Sequence, residues 1–252
     1  MPRIAIGLEY DGSRFLGWQT QPGGGAIQDA VEAALAAIAG HTISVMAAGR
    51  TDRGVHARGQ VAHFDTEAAR PSSAWVRGVN AFLPDSIAVL WSAEVPADFH
   101  ARYSALARTY RYELLNRPVR PALEAAHVGW FHAPLDIDAM RQGAQALLGE
   151  HDFSAFRAAE CQARTPVRTI HSIDIVRSAD RIRLRVTANG FLHHMVRNVV
   201  GSLVYVGCAR QSPSWIAELL ASRDRTRAAP TFGPEGLYLE KVDYDAAWGL
   251  PQ

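Results

Sequence analysis

Residues 3–10 read RIAIGLEY and residues 27–39 read IQDAVEAALAAIA, and these two stretches decide the fold of the first half. In the first stretch the larger apolar side chains fall on every second residue, which predicts a half-buried strand. In the second, apolar residues recur at helical spacing up to Gly40, so we predict a helix that stops there. The glycine-rich segment 11–25 is expected to form the loop between them.

The apolar patterns in the rest of the sequence predict further strands and helices, which form two domains. In the first half we predict strands at 43–48, 59–66 and 86–95 and a helix at 72–82, which gives the order of a ferredoxin-like domain. The second half approximates the same order, with strands at 106–115, 126–132, 169–178, 181–188 and 236–243 and helices at 136–148, 192–208 and 213–222. The sequence therefore predicts an α+β protein with antiparallel sheets, divided into an N-terminal domain (1–100) that carries the loop around Asp52 and a C-terminal domain (101–252).

Composition excludes several classes of protein. The chain has 252 residues, of which 48% are hydrophobic, and a formal net charge of +1, so it is neither disordered nor a basic tail. No apolar run approaches the roughly 20 residues that span a membrane, and the N-terminus lacks the apolar core of a signal peptide. Two cysteines cannot form a tetrahedral thiolate site. We expect a cytoplasmic protein with no membrane partner.

The near-neutral charge hides two arginine-rich stretches. Residues 102–120 contain five arginines and one acidic residue, and residues 157–210 contain nine arginines and three acidic residues. Aromatic residues are interspersed among them, and this combination suits phosphate contact together with base stacking. A solvated strand face is the alternative, because the arginines at 181, 183 and 185 alternate with apolar residues. The charge pattern alone leaves nucleic-acid binding and a solvated face open.

One loop has the residues for chemistry. Residues 49–60 read GRTDRGVHARGQ, with Asp52 between Arg50 and Arg53. Nearby positive charge favours the ionised carboxylate, which can act as a nucleophile or a base. On spacing alone, an Asx-turn in which Asp52 caps its own loop is the favoured alternative.

The same loop resembles the active-site signature of the TruA family of tRNA pseudouridine synthases, Gly-Arg-Thr-Asp-x-Gly-Val-His-Ala. The resemblance continues in order from about residue 4 to 244. The further matching blocks are YDGSRFLGWQ (10–19), FHARY (99–103), the spaced Arg108, Tyr110 and Tyr112, DFSAF (152–156), FLHHMVRN (191–198) and GLYL (236–239). Several spaced blocks are more specific than one loop, so they favour a catalytic Asp52 over an Asx-turn.

The resemblance implies the isomerisation of uridine to pseudouridine at positions 38, 39 and 40 in the anticodon stem and loop of tRNA. It implies a homodimer that acts on tRNA rather than DNA and uses no cofactor or metal. Asp52 would be the catalytic aspartate, Arg50 would assist base flipping, Tyr110 would stack on the target uracil, and Arg197 would pair with Asp52. The other implied tRNA contacts are Arg70, Phe99, His100, Ala101, Arg102, Tyr103, Phe131, Glu160, Cys161, Gln162, Ala163 and Arg164.

The residues leave the chemical route open. The target base must leave the stack at a cost of a few kcal/mol, after which a carboxylate can attack the sugar C1′, attack the ring C6, or act as a base at C2′. The sequence departs from the family pattern at Arg53, where alanine is common, and at Glu160, where glutamine is frequent. Because an acid weakens phosphate contact, Glu160 is the weaker candidate in its stretch.

Other functions fit the sequence less well. A catalytically silent RNA-binding module of the same architecture is the main alternative, and the presence of Asp52, Tyr110 and Arg197 argues against it. A nucleotide hydrolase is disfavoured because the glycines at 23–25 lack the Lys-Ser/Thr of a phosphate loop. His56 and His63 are expected to pack or to form hydrogen bonds rather than to catalyse.

Overall fold

The computed structural model describes residues 1–251. The strands are β1 (Arg3–Tyr10), β2 (Met46–Ala47), β3 (His56–Asp65), β4 (Ile87–Val95), β5 (Ala105–Asn116), β6 (Gly129–Phe131), β7 (Gly149–Asp152), β8 (Val167–Ser178), β9 (Arg181–Ala188) and β10 (Leu237–Tyr244). The helices are α1 (Ile27–Ala39), α2 (Ile137–Gln145), α3 (Met195–Gly207) and α4 (Trp215–Ser222), and a π-helical turn occupies Ala74–Gly78. The α+β class with mostly antiparallel strands is confirmed.

The chain forms two compact units. Unit 1 comprises Met1–Ala107 and the described residues from Tyr238 onward, and unit 2 comprises Arg108–Leu237. The predicted division after residue 100 differs from this in two respects: the boundary lies after Ala107, and the last strand returns to unit 1. The cause of the second difference is the parallel pairing of β10 with β3, in which Tyr238 lies opposite His56.

Unit 1 follows the predicted order of elements. Its strands lie in the order β4-β1-β3-β10, with β2 beside β3, and β1 is antiparallel to both β3 and β4. Helix α1 buries its apolar stripe and ends at Gly40, whose left-handed φ of 81° caps the last turn. The helix predicted at 72–82 is centred on the π-helical turn, whose Trp75 is buried.

Unit 2 has the strand order β5-β9-β8-β7, all antiparallel, with the short β6 parallel to β5. Helix α3 is buried almost all round, as predicted for residues 192–208, and it contacts both α2 and α4. Strand β7 was not predicted, because four residues reading GEHD carry no apolar alternation. Unit 2 ends in two helices, since the final predicted strand belongs to unit 1.

The helices were compared with what a membrane span requires. None of the helices among residues 1–251 combines the length and the hydropathy that a membrane span requires.

Candidate active site

The loop between β2 and β3 holds Asp52 through its buried neighbour, Thr51. The carbonyl of Thr51 accepts a hydrogen bond from the amide of Trp18 at 2.9 Å, and its hydroxyl lies 2.8 Å from that of Tyr10. After Asp52 the chain turns at once, because the amide of Val55 donates to the Asp52 carbonyl at 3.1 Å. The half-buried Asp52 therefore sits between an anchored residue and a tight turn.

Two glycines let the loop after β1 lie directly on the Asp52 loop. A Cβ on Gly12 would stand 1.9 Å from the Val55 carbonyl oxygen, and one on Gly17 would stand 2.8 Å from that of Thr51. Gly17 also has a φ of +102°, which glycine adopts far more readily than other residues. The YDGSRFLGWQ and GRTD blocks thus form one contact, a link that could be found in the sequence only through the resemblance.

A buried tyrosine and glutamine complete the support of this loop. Gln60 donates through Nε2 to the Gly49 carbonyl at 2.7 Å and to the Tyr10 hydroxyl at 3.3 Å. Burial raises the pKa of Tyr10 well above its usual value, so its hydroxyl stays protonated at neutral pH. By contrast, Arg50 and Arg53 are exposed on the same loop.

His56 and His63 pack against other rings or form hydrogen bonds, as predicted. Nδ1 of the buried His56 accepts from the Gly12 amide at 3.1 Å, and its ring stacks on Tyr238 at 4.7 Å. Nδ1 of His63 accepts from the Ala101 amide at 3.2 Å. Each histidine thus fixes a loop of unit 1.

The FHARY block divides into buried and exposed positions. Phe99 is fully buried, with the rings of His63, Tyr244 and Trp248 at 6.0, 5.3 and 5.3 Å. Ala101 is also buried, and its carbonyl accepts from the Tyr244 hydroxyl at 2.6 Å. The Phe99 ring and the Ala101 carbonyl thus hold the segment in place.

The other three positions of the block reach the surface. Tyr103 is 76% exposed, and the Arg102 guanidinium carbon lies 5.7 Å from its ring centroid. His100 accepts through Nδ1 from the amides of both residues, at 3.1 and 3.4 Å. An exposed aromatic ring beside a cation is suited to stacking on a base and contacting a phosphate.

In unit 2, the buried Tyr110 lies on β5. Phe191 contacts it edge-on, with ring centroids 5.0 Å apart and planes at 81°. Phe191 was not among the predicted site residues, although its place in the FLHHMVRN block could have suggested it. The two rings thus pack at nearly a right angle to each other.

Arg197 lies in the first turn of α3 and is held from the segment before β10. Its Nε donates to the Phe232 carbonyl at 2.8 Å, and the Phe232 amide donates back to the Arg197 carbonyl at 3.3 Å. The Phe232 ring packs edge-on against Tyr112 at 5.7 Å, and the Tyr112 hydroxyl donates to the Gly233 carbonyl at 2.8 Å. The guanidinium is therefore fixed at one of its nitrogens.

Residues 160–164 form a loop tied to the FLHHMVRN block. The His193 amide donates to Sγ of Cys161 at 3.4 Å, and Arg157 donates to the carbonyls of Cys161 and Ala163. Burial alone would raise the pKa of the Cys161 thiol, but the amides of Ala163 and His193 and the charge of Arg157 outweigh it and lower that pKa. The exposed side chains of the stretch are Glu160, Gln162 and Arg164.

The last two predicted contacts lie apart from these clusters. Arg70 is exposed, and its Nε donates to the Ile38 carbonyl near the end of α1 at 3.0 Å. Phe131 is half-buried on β6, and its carbonyl accepts from Asn116 at 3.0 Å. The structure thus brings Arg50 and Asp52 together in unit 1, and it ties Tyr110, Arg197 and residues 160–164 to one block of unit 2.

Comparison with known proteins identifies the family. A family model described as tRNA pseudouridine synthase matches residues 7–104 and 144–245. The chain belongs to this family. Proteins named tRNA pseudouridine synthase A are similar to it along nearly their whole length. That of Thiobacillus denitrificans is 58% identical over 252 residues, covering 100% of this chain and 97% of the relative. That of Methylobacillus flagellatus is 56% identical over 249 residues, covering 99% and 95%.

The tRNA pseudouridine synthase match covers the Asp52 loop and its supports, the FHARY block and Arg197. Tyr110 and Phe131 fall between the two matched stretches, in a part of the chain that the full-length relatives cover.

Proposed function

We propose that this chain isomerises uridine to pseudouridine at positions 38, 39 and 40 in the anticodon stem and loop of tRNA. Family membership and the full-length relatives support the reaction and the tRNA substrate, and the motif resemblance supports the positions. The structural observation that carries the proposal is the Asp52 loop, which presents a carboxylate and the exposed Arg50 from a backbone anchored at Thr51.

The reaction is an exchange of bonds within one nucleotide. The N1–C1′ bond breaks, the uracil ring turns, and a C5–C1′ bond forms; C5 then loses its proton and N1 gains one. Asp52 is the catalytic carboxylate, by attack at C1′ or C6 or as a base at C2′. A rigid loop suits this role, because a carboxylate held near its reacting atom pays little entropy on the way to the transition state.

The target base must first leave the helix, and we assign its capture to two kinds of side chain. Arg50 fills the vacated position and so offsets part of the few kcal/mol of unstacking. Tyr110 receives the extruded uracil on its ring, and Arg197 binds the same nucleotide. Stacking on one aromatic face contributes roughly 1–3 kcal/mol per base.

Further tRNA contacts are assigned to the residues that the resemblance marks. The exposed Arg102, Tyr103, Gln162 and Arg164 can reach RNA directly. We assign Phe99, Ala101, Cys161 and Ala163 mainly to holding these segments, because their side chains are buried or half-buried. Arg70 and Phe131 are peripheral contacts, and Glu160 is the weakest candidate because it carries negative charge.

We also propose that the enzyme acts on tRNA in the cytoplasm. We further propose that it is a homodimer. Analytical ultracentrifugation at micromolar concentration tests the second statement. A single species at the mass of one 27.5 kDa chain would contradict it.

The activity is tested by tritium release from tRNA transcripts labelled at uridine C5. Wild type should release tritium only from transcripts that keep a uridine at position 38, 39 or 40. Asp52→Asn should release none, whereas Asp85→Asn, at an exposed loop aspartate, should match wild type. No release by wild type would reject the function, and undiminished release by Asp52→Asn would reject the catalytic role of that residue.

Base flipping is tested by replacing the two exposed arginines of the loop one at a time. Arg50→Ala should slow turnover on folded tRNA, and Arg53→Ala is the matched control. A mismatch opposite the target uridine lowers the cost of extrusion, so it should restore part of the loss in Arg50→Ala. Equal rates for the two variants would remove the proposed role of Arg50.

A further inference from the structure

A polar cluster centred on the buried Asn198 lies beside Arg197. Asn198 is 0% exposed, and its Oδ1 accepts from the Thr231 hydroxyl at 2.7 Å and from Nη2 of Arg225 at 3.0 Å. Its Nδ2 donates to the Phe156 carbonyl at 2.7 Å. One amide thus joins helix α3 to three other segments of unit 2.

Arg225 closes the cluster. It donates to the Thr231 hydroxyl at 3.1 Å and to the Ala229 carbonyl at 3.0 Å, and its partners among residues 1–251 are all uncharged. Desolvation by burial lowers the pKa of its guanidinium. A partly desolvated cation with only neutral partners is costly, and such a group persists where its geometry serves a purpose.

The cluster lies next to the contacts of Arg197 in both of the segments that it joins. Asn198 follows Arg197 in α3, and Thr231 precedes Phe232, whose carbonyl holds Nε of Arg197 at 2.8 Å. The two segments approach so closely that a Cβ on Gly201 would stand 2.4 Å from the Pro230 carbonyl oxygen. The position of the Phe232 carbonyl therefore depends on the bonds that hold Thr231.

We propose that Asn198, Arg225 and Thr231 are positioning residues, which fix the Phe232 carbonyl and through it the Arg197 guanidinium. This inference rests on the proposed function, in which Arg197 binds the reacting nucleotide. Without the Thr231 hydroxyl, Oδ1 of Asn198 keeps only the bond from Arg225, and the segment carrying Phe232 loses its bond to helix α3 through Asn198. The guanidinium would then lose its orientation while keeping its charge.

Such a loss should slow the reaction without weakening tRNA binding. Affinity for tRNA comes mostly from many phosphate contacts, whereas the rate depends on orientation at one nucleotide. Thr231→Val should therefore lower the single-turnover rate of tritium release about tenfold, as for the loss of one buried hydrogen bond, and change the Kd for tRNA less than about twofold.

The experiment compares three substitutions of threonine with enzyme in excess over labelled tRNA. Thr231→Ser keeps the hydroxyl and should return the rate to near wild type. Thr226→Val is the matched control, because the exposed Thr226 bonds Asp224 rather than Asn198. Arg225→Lys keeps the charge but cannot bridge the same three acceptors, so it is a second variant should Thr231→Val fail to fold. A rate equal to wild type in the folded variant would overturn the proposal, and so would a rise in the Kd for tRNA that parallels the loss of rate.

A double-mutant cycle shows whether the effect passes through Arg197. In an Arg197→Lys background, which removes Nε, Thr231→Val should cause little further loss of rate. An undiminished effect there would mean a merely structural role and would overturn the proposal. The proposed function fails separately, since in that case wild type itself would release no tritium.

Discussion

The Tyr10 hydroxyl lies 2.8 Å from Oγ1 of Thr51, so strand β1 is bonded directly to the residue before Asp52. The same tyrosine accepts from Gln60, which also holds the Gly49 carbonyl. The Asp52 loop is thus supported from β1 and β3 by buried side chains, and its geometry is set by the sheet rather than by the loop itself.

Replacing Tyr10 by phenylalanine should disturb this support without changing the catalytic residues. Thr51 and Gln60 would each lose a buried partner, and we expect a loss of about 1–3 kcal/mol in the free energy of unfolding together with slower tritium release. Urea unfolding and the release assay measure the two effects.

The control for this change is Tyr205→Phe, at a half-buried tyrosine whose ring, rather than hydroxyl, contacts Trp215 and Arg210. It should leave both stability and rate near wild type. Equal effects of the two substitutions would show that the Tyr10 hydroxyl does not support the loop.

Two glycines with similar φ values distinguish the effect of backbone strain from that of a steric clash. Gly17 and Gly23 have φ values of +102° and +98°, but only a Cβ on Gly17 meets the Thr51 carbonyl, at 2.8 Å, while one on Gly23 meets nothing within 4 Å. Both alanine variants carry the backbone strain of about 1–2 kcal/mol. Gly17→Ala should additionally displace the Asp52 loop and lower the rate of tritium release at least tenfold, whereas Gly23→Ala should keep it. Similar rates in the two variants would contradict the proposed contact between the loops.

His63 should make the protein less stable in mild acid. Burial, with the charges of His100 and Arg3, lowers the pKa of His63 from 6.5 to about 4. Because the unfolded chain then binds more protons between these values, the free energy of unfolding should fall as pH drops through that window and be unaffected above it. From pH 7 to pH 5 the loss due to His63 should be at most about 2 kcal/mol.

The test compares urea unfolding at these two pH values. His63→Asn, whose side-chain oxygen can still accept from the Ala101 amide, should lose less stability than wild type. His171→Asn, at an exposed histidine, should lose as much as wild type. The same pH dependence in all three proteins would show that His63 does not stay neutral in the folded state.

Much of this fold follows from local patterns, but the partners of its segments do not. Alternation in β1 and helical spacing in α1 predict those elements, because the larger apolar side chains of each fall on one face. The largely apolar stretch at 192–208 predicts α3 as a buried helix. The alternation near residue 240 predicts a strand but not its parallel pairing with β3, which depends on the whole sheet. The cluster around Asn198 joins residues 27 and 33 positions away, and such side-chain bonds leave no period to detect.

In the candidate site, too, some features could be predicted from the sequence and others could not. The GRTD loop was found through its motif, because its chemistry needs particular residues at fixed spacing. The support of Thr51 by Tyr10 and Trp18 could not be predicted, since it depends on the loop after β1 folding back onto Asp52. The burial of Phe99 could not be predicted either, because it requires Tyr244 and Trp248 from the opposite end of the chain.

The turn between β8 and β9 offers a stabilising substitution. Ala179 has a φ of +53° in this two-residue connection, where Ser178 pairs with Arg181. A left-handed conformation costs a residue with a Cβ about 1–2 kcal/mol, and glycine removes this cost. The greater flexibility of glycine in the unfolded state offsets part of that gain. Ala179→Gly should therefore raise the free energy of unfolding by about 0.5–1 kcal/mol and leave tritium release unchanged. The same substitution at Ala37, exposed in α1, should lower it by about 1 kcal/mol, because glycine weakens helices. A loss of stability in both variants would show that the turn does not strain Ala179.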